Sequence, residues 1–210
     1  MAIELCGVGG YNQVGKNMTA INVDGDVILL DMGLYLEEYI QHQEKTNENK
    51  LSTSELMETG ALPNINKIKD WHKKVKAIIP SHAHLDHIGA IPFLGNGFNA
   101  PIIGTPFTIE VLKLILKKDD LRINNPLKIL KSGKRIKISE KITIEFIHVT
   151  HSTPQTVMIA VHTKYGIILY TNDFKFDNHP TIGNKPDFNR LKELGNKGIL
   201  ALIADSTNAP

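Results

Sequence analysis

Short apolar runs recur along this chain, each of strand length and each closed by a turn or a polar residue. IELCGV (3–8), TAINV (19–23), VILLD (27–31), VKAIIP (75–80) and PIIG (101–104) come first. ITIEFIHVTH (142–151), TVMIAVHT (156–163), GIILYTND (166–173) and GILALIADST (198–207) follow, with LKILKSG and RIKIS ahead of them. Runs of this length and composition read as strands, several of them buried. Asp24-Gly25-Asp26 between two of them predicts a hairpin. Helical segments are interspersed. TPFTIEVLKLILKK (105–118) is the best, with Thr105 as N-cap and Pro106 at the first helical position. NRLKELGNKG (189–198) ends at a glycine, INKIKDWHKK (65–74) has helical spacing, and HIGAIPFLG predicts a short helix. Residues 37–60 read as a polar surface excursion with a helical turn or two. Strands first, then strands alternating with helices, imply an α/β layered protein with mixed sheets, a single domain over residues 1–210.

Three of the apolar strands end in aspartate: Asp31, Asp173 and Asp205. Acids at strand ends lie on the rim of a sheet, where ligand sites form. Directly after VKAIIP, the stretch SHAHLDHIGAIP (81–92) holds His82, His84, Asp86 and His87 within six positions. In an extended loop His82, His84 and Asp86 share a side, and His87 turns away as a helix begins. Four ligand-type side chains at this spacing have little use in a core. Imidazole and carboxylate suit Zn²⁺. Two histidines with one more would fill one site, and Asp86 with His87 would begin a second beside it. Further ligands are then expected at later strand ends. His151 in THST follows ITIEFIHVT, with His148 as its competitor three residues earlier, and Asp173 is suited to bridging two cations. His42, His72, His162 and His179 lie in no motif and default to surface or core.

The remaining features exclude more than they suggest. The net charge is +2 over 210 residues, which alone marks no nucleic-acid binder. Cys6 is the one cysteine, so an intramolecular disulfide and a thiolate-rich zinc site are both ruled out. The N-terminal residues make a poor signal peptide, and no apolar run approaches the ~20 residues of a membrane span. A cytoplasmic protein without membrane contact is the expectation. Lys113, Lys117, Lys118 and Arg122 read as a solvated helix face. Lys131, Lys134, Arg135 and Lys137 form a second basic cluster, and Trp71 a half-buried anchor. GGYNQVGKN reads as a strand-to-strand turn requiring positive φ rather than a phosphate cradle. Asn172 and Lys175 flank Asp173; Gln155 is given no role.

SHAHLDH resembles the signature of the metallo-β-lactamase superfamily. With GGYNQVGKNM, LLDMG, THSTP, NDFKFD and ADSTNA, the chain resembles the ribonuclease J branch of the β-CASP nucleases along nearly its whole length. The resemblance implies an αββα sandwich of two mixed sheets. His82, His84 and His151 would hold one zinc, Asp86 and His87 the other, and Asp173 would bridge, with Asp86 and Asp173 also catalytic. Asp31 would orient the histidines from behind, and Asp205 would lie near the site. The implied reaction is hydrolysis of single-stranded RNA by a metal-bound, bridging hydroxide, from the 5′ end or internally, with Mn²⁺ as a substitute for Zn²⁺. In the family a β-CASP domain is inserted after DSTNA, and the chain then returns to finish the first domain. The expectation is therefore an N-terminal fragment, incomplete at its C-terminus. It would lack one ligand of the second metal, expose its core along one edge, and belong to a longer protein in which dimers occur. Two other readings stand beside this one. One is a thioester or lactone hydrolase of the same superfamily, which NDFKFD and DSTNA argue against. The other is a non-catalytic metal-binding module. A di-iron redox reading is disfavoured, because that branch generally carries a carboxylate where His84 sits.

Overall fold

A computed structural model describes residues 3–46 and 52–206. Residues 47–51, part of the expected surface excursion, and the last part of the DSTNA string lie outside them. The expected strands form two sheets. The first runs β1 (Ile3–Gly9), β2 (Met18–Val23), β3 (Asp26–Leu30), β4 (Val75–Ile79), β5 (Ile102–Gly104) and β6 (Leu127–Ile129), in that spatial order. The second is ordered β11-β10-β9-β8-β7, from β11 (Ala201–Ala204), β10 (Gly166–Asn172), β9 (Val157–Thr163), β8 (Thr143–His148) and β7 (Arg135–Lys137). Each sheet is mixed. β1, β2 and β3 are antiparallel and β3 to β6 parallel, whereas only β10 and β11 are parallel in the second. The Asp24–Gly25 turn joins β2 to β3 with both residues at positive φ, 49° and 91°, as a two-residue hairpin requires.

Strand alternation sorts the side chains into layers. Along β2 and β3, Ile21, Val23, Ile28 and Leu30 face the second sheet and meet Ile144, Phe146, Val157 and Ile159 there. Ala20, Val27 and Leu29 face the other way, onto helices. That outer layer includes α2 (Thr53–Glu58), the 3₁₀ segment Ile65–Lys74, α3 (Leu85–Ile88), α4 (Ile91–Leu94) and α5 (Pro106–Lys118), through Leu56, Ile68, Ile88, Ile91 and Leu112. On the far side, α6 (Phe188–Lys197) sets Leu194 against Ile147, Met158 and Leu169. The result is the expected αββα sandwich, with strands apolar on both faces.

Four local readings need correction. Residues 36–46 form an eleven-residue helix, α1 (Leu36–Thr46), which is longer than the expected turn or two. The 65–74 segment is 3₁₀ with non-helical angles at Ile68, which is also its buried residue. The helix after the histidine motif starts at Leu85, so Asp86 and His87 lie on it rather than on an extended loop. The last strand is not buried. Among the described residues β11 is paired on one side only; Ile203 packs on the inter-sheet core, but Leu202 is 62% exposed.

Candidate metal centre

The candidate ligands lie where β3, β4, β8 and β10 end together. β3 ends at Leu30, and Asp31 directly after it has a φ of 58° that turns the chain sharply; aspartate tolerates this left-handed conformation better than most residues. The chain then runs back over α3. Met32 N donates to His87 O (2.8 Å), Leu34 N to Leu85 O (3.0 Å) and Asn17 N to Asp86 O (3.0 Å). A four-residue helix has no stability of its own. These bonds satisfy the carbonyls of Asp86 and His87, give that of Leu85 a second donor beside Gly89 N, and fix the directions of Asp86 and His87. Gly33 is required for this approach, since a Cβ there would lie 1.6 Å from Asp86 O.

Two sets of ligand atoms result. His82, His84, His151 and Asp173 each offer one atom, all within 4.8 Å of one another, and Asp86, His87 and Asp173 form a second such set. In the first, His82 Nε2 is 3.1 Å from His84 Nδ1, which is 3.2 Å from His151 Nε2. Asp173 Oδ2 is 3.6 Å from His151 Nε2 and 4.0 Å from His82 Nε2. Adjacent corners of a tetrahedron with ~2.0–2.1 Å bonds lie ~3.3–3.4 Å apart, so these spacings suit one small cation. In the second, His87 Nε2 is 3.5 Å from Asp86 Oδ2 and 3.4 Å from Asp173 Oδ2. Asp173 belongs to both. His148, the competitor of His151, bonds to Asn184 O at 2.8 Å and is in neither set.

Asp31 lies behind both sets and is wholly buried. Its Oδ1 accepts from Ser81 N (2.7 Å), and its Oδ2 from His87 Nδ1 (2.7 Å), Tyr170 OH (2.6 Å) and Ser81 Oγ (3.0 Å). Ser81 Oγ in turn lies 3.0 Å from His82 Nδ1. On the other side, Ser152 Oγ is 3.4 Å from His84 Nε2.

The electrostatics favour a bound cation. No lysine or arginine pairs with Asp31, Asp86 or Asp173 among the described residues. Burial opposes charge on His87, but Asp31, Asp173 and Asp86 outweigh it and hold the imidazole well above its usual range. Burial, reinforced by the neighbouring histidines, pushes His82 far down. His151 is lowered by burial, with partial compensation from Asp173. Burial raises Asp86 and Asp173, and the bond and charge of His87 more than reverse this, leaving both below the usual carboxyl range. At neutral pH His82 and His151 are thus neutral and able to donate, and Asp86 and Asp173 are ionised, whereas His87 is held as its cation by the surrounding carboxylates, so a metal binding there would have to displace its Nε2 proton.

The other expected site residues are dispersed. Asp205 lines a cavity of about 380 Å³ together with Asp86, His87 and Asp173, but is in neither ligand set. Tyr11, Asn12 and Gln13 of GGYNQVGKN line the same cavity. That segment is indeed the β1–β2 connection, with Gly10 and Gly15 at φ of 84° and 98°, and among the described residues no lysine or arginine lines the cavity. Asn172 turns from Asp173 to donate to Val157 O at 2.5 Å. Of the basic clusters, Lys113 pairs with Glu110, Lys137 with Glu140, and Arg135 with Glu145. Trp71 packs half-buried on the helical layer.

Sequence reasoning missed Ser81, Tyr170, Asn17 and Gln155. Tyr170 carried a signal: it lies in an inward row of aliphatic side chains, and a buried tyrosine hydroxyl needs a partner. Asn17 Nδ2 donates to Asp86 O at 3.1 Å. Gln155 Oε1 accepts from Phe107 N at 2.9 Å, tying the loop that carries His151 to the first turn of α5.

With this geometry in hand, comparisons with known proteins agree. A profile described as the metallo-beta-lactamase superfamily matches residues 11–197. Ribonuclease J of Methanocaldococcus jannaschii is 48% identical over 208 residues, which are 99% of this chain and 46% of that protein. Ribonuclease J of Pyrococcus abyssi is 42% identical over 207 residues, 98% of this chain and 45% of that one. The chain therefore spans about half the length of these curated relatives. A protein of unknown function from Enterococcus faecalis V583 superposes with a TM-score of 0.61 at 18% identity, covering 82% of this chain and 43% of that one. The metallo-beta-lactamase fold protein YhfI from Bacillus subtilis does so with a TM-score of 0.55 at 16% identity, covering 84% and 64%. At these identities the two structures speak for the fold alone.

Proposed function

From the premise that this chain belongs to the metallo-beta-lactamase superfamily, we propose that it is the metal-binding part of a ribonuclease J-type enzyme that hydrolyses RNA phosphodiester bonds. His82, His84, His151 and Asp173 would hold one Zn²⁺, and Asp86, His87 and Asp173 the second, with Mn²⁺ as a substitute. The carrying observation is that Asp173 belongs to both ligand sets. When bound, such a pair of cations polarises the phosphoryl oxygens and acidifies water. The chain's own residues supply the rest. Asp86 and Asp173 are ligands that also reach solvent, 22% and 31% exposed, and both face the cavity beside the site. Held ionised by His87, each can take a proton from an attacking water. Asp31, Ser81 and Ser152 fix the imidazole planes.

An RNA substrate is supported by the ribonuclease J relatives and by the surface beyond His151. An open groove of about 1290 Å³ begins at that residue and is lined by Lys131, Lys175 and Lys185. Only Lys175 of these has an ion-pair partner among the described residues, Asp177 at 3.8 Å. Unpaired lysines beside a hydrolytic centre suit a phosphate backbone.

The test uses full-length protein loaded with zinc and a single-stranded RNA bearing a 5′-monophosphate, labelled at either end in parallel. Release of mononucleotides from the 5′ end or of internal fragments supports the reading, and His84→Ala should lower the rate at least 100-fold. Metal-loaded protein that leaves RNA intact while cleaving a thioester or lactone would overturn it.

A further inference from the structure

Asp31 is linked to both ligand sets from behind. It bonds His87 of the second set directly, and reaches His82 of the first through Ser81 Oγ. A carboxylate only accepts, so the hydroxyl hydrogens of Ser81 and Tyr170 both point at Asp31 Oδ2. Ser81 Oγ is then left to accept from His82 Nδ1. Both imidazoles therefore keep the proton on Nδ1 and turn Nε2 towards the ligand clusters, where the short contacts of both rings are found. Three donors converge on the single oxygen Oδ2, and the third is Tyr170 OH at 2.6 Å. The Tyr170 ring is packed in the inter-sheet core and cannot follow a displaced partner.

We infer that Ser81 and Tyr170 are positioning residues that act through Asp31. Tyr170 sets the place of the shared oxygen and so aligns one histidine of each ligand set, whereas Ser81 aligns only His82. The two cation sites are thereby coupled through one buried hydrogen-bond hub rather than through Asp173 alone. The inference rests on the proposed two-cation reading. It predicts different outcomes for two small deletions, each of which removes one hydroxyl and leaves the fold's packing in place.

The test is nitrogen NMR of protein labelled at histidine, first without metal and then through a zinc titration. His84 and His151 report filling of the first set, and His87 filling of the second. In the metal-free wild type, His82 and His87 should show protonated, slowly exchanging Nδ1. Tyr170→Phe should speed exchange at both and weaken zinc at both sets, each by about 10- to 100-fold. Ser81→Ala should do so at His82 and the first set only, leaving the second within about threefold. The double variant should weaken the first set by less than the product of the single effects, because both act on one path. Tyr170→Phe affinities within twofold of wild type at both sets, or a loss confined to the His87 set, would overturn the inference. Wild type that binds no zinc at these histidines would instead refute the two-cation reading. The exchange rates without metal would then still decide whether Tyr170 holds both rings.

Discussion

If the two ligand sets are cation sites, metal should contribute a large and divisible part of the protein's stability. A ligand that binds only the folded state stabilises it by about 2.7 kcal/mol at a free concentration 100 times its dissociation constant. The geometry supplies two sets, so saturation should add about 5 kcal/mol. For a chain of this size each kcal/mol moves the melting temperature by roughly 2–4 °C, giving a rise of about 10–20 °C between chelated and saturated protein. Scanning calorimetry over a series of buffered free zinc concentrations measures it directly. His151 is in the first set alone, so His151→Ala should remove about half of the rise. Asp173 is in both, so Asp173→Asn should weaken both steps and shift each to higher zinc. A rise below about 3 °C in the wild type would refute the reasoning. Equal effects of the two substitutions would refute the sharing of Asp173.

Three further outcomes follow from local geometry. Gly33→Ala would put a Cβ 1.6 Å from Asp86 O and 2.7 Å from His87 N, so α3 must move; urea unfolding should show a loss of about 3 kcal/mol or more, and native mass spectrometry should show zinc falling from two per chain to one. Glu145, on β8, is nearly buried and takes bonds from Arg190 and His162 and an ion pair from Arg135; Glu145→Gln should cost about 2–3 kcal/mol, less than a wholly buried pair because Arg135 is half exposed. Burial raises Glu145, but Arg190, His162 and Arg135 bring it below its ordinary value of 4.5, so its contribution is full above that value and is lost as pH falls through the lower folded one; urea melts of wild type and variant should converge in acid and separate at neutral pH. Gln155→Ala removes the acceptor of Phe107 N and should cost about 0.5–2 kcal/mol; as it also frees the loop carrying His151, the zinc titration should show weakening at the first set only.

What the sequence made legible was local or periodic. The strand runs announced themselves because period-two alternation and turn residues are near-neighbour signals, and nearly every run became a strand in one of the two sheets. Thr105 and Pro106 told where α5 begins for the same reason: its N-cap is a side chain accepting from a backbone amide three residues on. The first-to-last extent of α3 was not legible. Four residues span too little of a helical period to be read, and its start at Leu85 depends on backbone donors from residues 17, 32 and 34. That is why the parity argument put Asp86 on one side with His82 and His84, although its expected pairing with His87 beside a shared Asp173 is the grouping found. The exposure of β11 was likewise invisible to hydropathy, since a strand's apolar character does not say whether it has one neighbour or two.

The hub around Asp31 shows where such reading ends and what it needs to go further. Its partners Ser81, His87 and Tyr170 are 50, 56 and 139 residues away. No spacing rule connects them. Three separate requirements do, once they are set side by side. A buried carboxyl group must be met by donors. A buried tyrosine hydroxyl must find an acceptor. Two histidines that offer Nε2 to a cation must each hand the Nδ1 hydrogen to something. Tyr170 stands in the inward-facing row of β10 with Ile168, whereas Asp31 directly follows β3, in step with Val27 and Leu29, which face the helices; the two strands belong to opposite sheets. Inward alternation buries Tyr170 with Ile168, and the left-handed turn at Asp31, φ 58°, breaks the alternation just past β3, where its carboxylate meets Tyr170 OH at 2.6 Å. The apolar pattern that makes the sandwich thus places one member of the polar hub, Tyr170, and the turn after β3 places the other, Asp31. Moving β10 by a single residue would turn Tyr170 out of the core and take one of its donors from Asp31.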